Sequence, residues 1–363
     1  MPEELSAHHL RARLFQLAAV VAIVVLVVIL GPGLGSVRTQ LKDASAPWFA
    51  AAAGMEVLST LSYVVIFRAV FCARMSWRTT YQIGMAEQAA NALLPAGGAG
   101  GLALGAWALN RIGLSVDHIA RRTVAFFLLT SLANVGGVVV FAAAFAGGVL
   151  GADAQPAFTY GFGAAALAAI VLTLSIPAWY GRWRTHRRPL PPDAGRLRRG
   201  GRLVVDALGE GTADAIALLR RRPVGVLVGS LGYMGFDIAA LGVCFVALGH
   251  APSFGVLVFG YLIGQLGGLL PIPGGIGGTE GGLIGVFALY HVSVAKSAAA
   301  VLIYRALQLW IPAALGAVAF VQLRRTLRRE RHSATICAPL ADPIDPAQPP
   351  ALPERAQRPA GAV

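Results

Sequence analysis

Apolar residues along this chain fall in long, nearly charge-free runs, not in alternating or one-faced patterns. Runs over 14–30, 48–73, 123–147, 158–180, 223–248 and 298–323 approach or exceed the ~18 apolar residues that a helix needs to cross a bilayer. They predict six full transmembrane spans. Two further apolar segments, 79–110 and 254–292, are broken at their centres by proline and paired glycines, as LLPAGGAGG and LLPIPGGIGGTEGG. Such breaks free backbone groups that lipid cannot satisfy, so they persist only against protein or a wet cavity. At 32 and 39 residues, these segments are too short or barely long enough for two crossings each. Re-entrant helical hairpins are the predicted form.

The expected fold is therefore an all-α polytopic membrane protein with about six spans and two Gly/Pro-broken hairpins. Residues 14–30 follow Arg11 and Arg13 and precede GPGLGS with no A-x-A cleavage site, which predicts an uncleaved first span. Residues 1–13 form a polar N-terminal segment. The transmembrane domain is expected over 14–325, followed by a disordered, proline-rich tail over 326–363.

Composition sharpens this picture. With 56% apolar and only 13% charged residues, the 363-residue chain is excluded from the soluble globular class. Its formal net charge of +13 comes from 30 basic residues, all arginine except Lys42 and Lys296. These sit in short clusters between apolar segments, a pattern that orients helices and meets anionic headgroups and does not suggest nucleic acid. If each broken segment enters and leaves on one side, 25 basic residues face the cytoplasm and three, Arg38, Lys42 and Lys296, face outward. If each crossed once, the eleven arginines of 181–222 would be exported, which the positive-inside rule rejects. Both termini and the 181–222 loop are thus expected in the cytoplasm, with the protein in the cell membrane.

The two broken segments also repeat one another. LLP at 93–95 matches LLP at 269–271, and GG-x-GG at 97–101 matches 274–278. Gly101, Gly105, Trp107, Ala108 and Leu109 align with Gly281, Gly285, Phe287, Ala288 and Leu289, and Gly54-Met55-Glu56-Val57 aligns with Gly235-Phe236-Asp237-Ile238. Two repeats follow, about 48–147 and 223–323, one hairpin entering from each side of the membrane. Inverted repeats with broken helices are the recurring architecture of secondary transporters, which hold substrate between the repeats.

Candidate chemistry concentrates at the breaks. Pro95, Gly97 and Gly98 in the first turn, and Pro273, Gly274, Gly275, Gly277, Gly278 and Thr279 in the second, bend the backbone and aim helix N-termini into the protein. An anionic headgroup suits such a site, and a ligand-free hairpin with GxxxG packing at 101–105 and 281–285 is the competing reading. Glu280 begins the second outgoing half-helix. As an intramembrane acid it is costly, and Arg305, beside Tyr304 in the last span, is its expected partner. Glu56 and Asp237, equivalent in the two repeats, and Glu87 near Asn91 are candidate proton or headgroup sites, or acceptors for freed backbone N–H groups. Arg68 lies close enough to a span end to snorkel. The stretch RLVVDALGEGTADAIALLRRR reads as an interfacial amphipathic helix with its arginines on anionic lipid.

Enzyme signatures are missing: no H-E-x-x-H, G-x-S-x-G, Walker A or complete G-x-G-x-x-G occurs. The scattered Cys72, Cys244 and Cys337 offer neither a disulfide framework nor a CxxC metal pair. No metal, cofactor or catalytic residue is expected.

PIPGGIGGTEGGLIGVFALYHV followed by AAAVLIYRALQLWIPAALGAVAF resembles the second half of the lysylphosphatidylglycerol synthase transmembrane family, the flippase-like membrane half of multiple peptide resistance factors. The similarity is most specific at Pro273-Gly274-Gly275, Glu280 and Tyr304-Arg305, weaker at NALLPAGGAGG, and extends over 14–325. It implies a bacterial cytoplasmic-membrane protein that moves or handles a polar lipid such as an aminoacylated phosphatidylglycerol. No soluble aminoacyltransferase domain follows the last span, so synthesis of that lipid is not expected, and the substrate is not inherited. Three functions fit: a lipid translocase, a non-transporting subunit that anchors a separate lipid-modifying or glycosyl-transferring enzyme, and a small-solute transporter. Membrane lipids are the expected partners, with no nucleic acid.

Overall fold

The computed structural model describes residues 46–93, 99–151, 155–186, 195–221, 223–249, 251–269 and 277–329. Among these there are ten α-helices and no strand. They are α1 (Ala46–Phe71), α2 (Trp77–Leu93), α3 (Ala99–Arg111), α4 (Val116–Ala146), α5 (Pro156–Thr185), α6 (Arg196–Arg221), α7 (Pro223–Ala247), α8 (Phe254–Gly264), α9 (Gly278–Leu289) and α10 (Val294–Arg329). A short 3₁₀ turn, Gln265–Leu269, extends α8.

Five helices, α1, α4, α5, α7 and α10, are long and apolar enough to cross a membrane. They coincide with five of the six spans read from the sequence. The sixth, at 14–30, lies outside the described residues, as do most of the N-terminal segment and the proline-rich tail. Both broken segments fold back on themselves. In the first, Glu87 of α2 lies against Gly105 of α3, and Asn91 against Gly101. In the second, Gly260 of α8 meets Phe287 of α9, Gly264 meets Leu283 and Gly267 meets Gly278. Rising numbers on one arm meet falling numbers on the other, which is the register of a helical hairpin.

The repeats lock together through α1 and α7. Ser59 Oγ donates to the Tyr233 carbonyl at 2.9 Å, Ser62 packs on Gly232, Ile66 on Gly229 and Ala69 on Gly225. The two helices therefore run antiparallel, as inverted repeats require. Lipid supplies no hydrophobic drive between helices, so this close approach of small residues carries the packing. The exchange continues outward: hairpin α2–α3 packs on α10 of the other repeat, and hairpin α8–α9 reaches α4. Gly316 of α10 sits against the Met85 carbonyl and the Ala89 side chain of α2.

Helix α6, expected as an interfacial amphipathic helix, also docks on the bundle. Gly211 abuts the Arg121 carbonyl and Val124, and Ala207, Thr212 and Ala215 are buried. Its acids face the basic ends of α4 and α5: Glu210 meets Arg121 at 3.2 Å and Arg184 at 3.0 Å, and Asp214 meets Arg122 at 3.7 Å. The sequence reading weighed the arginines and overlooked that these acids lie among the small residues of one face. Val204, Val205, Leu208, Arg198, Arg220 and Arg221 remain exposed toward the surroundings. Of the cysteines, Cys244 is free and buried.

Candidate functional site

Gly277 opens α9 with φ of +89°, a conformation that glycine adopts without steric cost. Its N–H donates to Glu280 Oε2 at 2.6 Å, so the acid at the third helical position satisfies the N-cap N–H at the start of the half-helix. The other carboxylate oxygen of Glu280 accepts from Arg305 Nε at 2.8 Å. Arg305 lies eleven residues, roughly 16 Å, beyond Val294 along α10, within the apolar stretch of that helix. It is 8% exposed, the only buried lysine or arginine among the described residues. The sequence named this pair; the structure forms it.

From Arg305 the polar contacts run inward. Its Nη1 donates to Gln308 Oε1, and Gln308 Nε2 donates to Asp237 Oδ2 at 3.0 Å and to Tyr304 Oη at 2.5 Å. Asp237 Oδ2 also accepts from Tyr304 Oη at 2.9 Å and from Tyr261 Oη, and Gln265 Nε2 donates to Tyr304 Oη at 3.1 Å. The register of α1 on α7 brings Glu56 beside Asp237. The network thus joins α1, α7, α8, the 3₁₀ turn, α9 and α10, with Glu56, Asp237, Tyr304 and Arg305 all buried.

Glu87 belongs to the first hairpin. It is buried and faces Tyr63 within hydrogen-bonding reach, and the Tyr63 ring meets Tyr233 edge-on at 5.6 Å. The turns at 94–98 and 270–276 lie outside the described residues; at their described edges Asn91 Oδ1 accepts from Gly101 N at 3.0 Å in the first hairpin and Glu280 accepts from Gly277 N in the second. The two hairpins therefore differ: in the first a neutral amide on one arm meets the other arm, whereas in the second the acid of the outgoing arm pairs with Arg305 of α10.

Of the remaining candidates, Thr279 is buried beside Glu280. Pro95, Gly97, Gly98, Pro273, Gly274 and Gly275 lie outside the described residues. Gly278 packs against Gly267. The GxxxG reading divides: Gly101 and Gly105 are tightly packed, whereas a Cβ on Gly281 or Gly285 would meet nothing within 4 Å. Arg68 donates from Nε to the Met75 carbonyl at 2.8 Å and stacks on Trp77, at the end of α1 and away from the network. Tyr261, Gln265 and Gln308 escaped the sequence reading. Gln308 did carry a signal, an amide three residues beyond an intramembrane arginine and so on the same helix face. No group of metal-ligating side chains occurs among the described residues.

Antiparallel repeats, two broken hairpins and a buried polar network at their junction define a polytopic helical membrane protein. The chain belongs to the family described as Lysylphosphatidylglycerol synthase TM region, which it matches over residues 15–316. It is also 33% identical over 118 residues to a UPF0104 membrane protein of Methanothermobacter thermautotrophicus. That match covers 32% of this chain and 33% of the relative, about a third of its length.

Proposed function

We propose that this protein is a translocase for a polar phospholipid in the cell membrane, with the 181–222 loop and the chain termini in the cytoplasm, and that it performs no covalent chemistry. The observation that carries this reading is the Arg305–Glu280 pair at the neck of the second hairpin. Glu280 occupies the place, between a helix N-terminus and a buried guanidinium, where a phosphate would be favoured. A headgroup phosphate entering there competes with Glu280 for Arg305, and the freed carboxylate is then available to an amine on the same headgroup. Family membership supports a lipid-related role, and an aminoacylated phosphatidylglycerol has both groups. A separate synthetase or transferase would supply such a lipid.

The test is reconstitution into liposomes carrying fluorescent phosphatidylglycerol or its lysylated form, read by an outer-leaflet quench. Protein-dependent loss of protection supports the reading. With Glu280→Gln, movement of the lysylated lipid should fall further than that of phosphatidylglycerol. Equal effects on both would remove the amine contact, and no movement of either by the wild-type protein would favour a scaffold subunit.

A further inference from the structure

Glu56 and Asp237 stand at equivalent places in the two repeats and meet where α1 crosses α7. Because α1 and α7 are antiparallel and the repeat offset of 181 carries 56 onto 237, this pair maps onto itself. It therefore lies on the pseudo-two-fold axis relating the repeats. Movement of one repeat against the other passes through this contact.

The chemistry of the contact is unusual. Asp237 Oδ2 accepts from Tyr261, Tyr304 and Gln308, whereas Asp237 Oδ1 and Glu56 Oε2 have no donor among the described residues. These are acceptor oxygens of two buried side chains that the antiparallel register of α1 and α7 sets beside each other. Two ionised carboxylates cannot share a dry contact; one proton between them turns repulsion into a hydrogen bond. The three donors on Oδ2 favour the charge on Asp237, which leaves the proton on Glu56. The other titratable or charged groups facing the pair are Tyr233 and Cys244 from α7, Tyr261 from α8, and Tyr304 and Arg305 from α10. Arg305 bonds Glu280 and Gln308.

We propose that Glu56 and Asp237 form one proton-binding site at the crossing of the two repeats, with the proton on Glu56 donated to Asp237 Oδ1, and that its loss to water drives α1 and α7 apart. The step is balanced: one proton leaves to water and two facing carboxylates remain. The site then acts as a proton-operated lock on the rearrangement that the translocase reading requires, and it is on that reading that its relevance to lipid movement rests.

Infrared difference spectroscopy of the full chain in lipid nanodiscs, between neutral and strongly alkaline pH, tests it. The wild-type protein should show a protonated-carboxyl carbonyl band at neutral pH that disappears at alkaline pH. Against a Glu87→Gln parent, which removes the buried acid of the first hairpin, Glu56→Gln leaves Asp237 ionised among its donors and should lack that band, whereas Asp237→Asn should shift it, because Glu56 then donates to an amide oxygen. Thermal stability provides the second readout. The wild-type midpoint should fall as pH rises and the pair deprotonates, while whichever variant folds should show a flatter profile. Absence of the band in the Glu87→Gln parent, its survival in Glu56→Gln, an unshifted band in Asp237→Asn, or identical stability profiles would overturn the proposal. Neither readout involves lipid, so its failure is distinguishable from failure of the translocase reading.

Discussion

Asp237 Oδ2 is held by two tyrosine hydroxyls and one amide, and the value of each bond depends on whether the acceptor is charged. A hydrogen bond to a charged group contributes about 1.5–3 kcal/mol, against about 1 kcal/mol for a neutral pair. Tyr261→Phe should therefore destabilise the detergent-solubilised protein by about 1.5–3 kcal/mol, as measured by thermal denaturation. A loss under about 1 kcal/mol would mean that Asp237 is not the ionised member of its pair. Single truncation at the neighbouring ion pair is harsher: Arg305→Ala leaves Glu280 unpaired in low dielectric at a cost of roughly 3–5 kcal/mol. Glu280 and Arg305 were legible in the sequence because charge in an apolar run is costly and needs a partner. Tyr261 and Gln265 were not, since a hydroxyl or amide in an apolar segment is common and only the fold brings them to Asp237.

Helix packing decides the next scale up. At Gly316, a side chain would strike the Met85 carbonyl and Ala89, parting α10 from the first hairpin. Gly316→Leu should cost about 1–3 kcal/mol or more through overpacking. Gly281→Ala and Gly285→Ala, with open space at the added methyl, should be neutral or stabilising by about 0.5–1 kcal/mol through helix propensity. Denaturant titration of the three variants checks the contrast, and a large loss at Gly281 or Gly285 would show that α9 packs differently. The spans and hairpins were legible because their signals, long apolar runs and Pro/Gly breaks, are local. The docking of α6 was not, because it depends on Glu210 and Asp214 reaching arginines 89 and 92 residues earlier, Arg121 and Arg122.

The whole molecule is organised by charge and by antiparallel repeats. With 25 basic residues assigned inside and three outside, the 181–222 loop is expected in the cytoplasm. A cysteine placed at position 190 in a cysteine-free background should resist membrane-impermeant reagents in intact cells and react after lysis. Labelling from outside would reverse the topology. The repeat was readable from three matched sequence blocks, but the meeting of Glu56 with Asp237 on its axis was not, because alignment gives equivalence and not contact.

The central claim is that the Glu280–Arg305 pair is a headgroup site, and a neutralised pair tests it without leaving a stranded charge. In the double variant Glu280→Gln/Arg305→Gln, the glutamine at 280 retains an oxygen for the Gly277 N–H, and two amides replace the ion pair, so folding should be preserved. The measurement is outer-leaflet quenching of fluorescent phosphatidylglycerol in liposomes containing equal amounts of wild-type or double-variant protein of matched thermal stability. The account predicts rapid exchange with the wild-type protein and at least a tenfold slower rate with the variant, equivalent to about 1.4 kcal/mol of lost binding to the moving phosphate. Wild-type exchange by a well-folded double variant would contradict it.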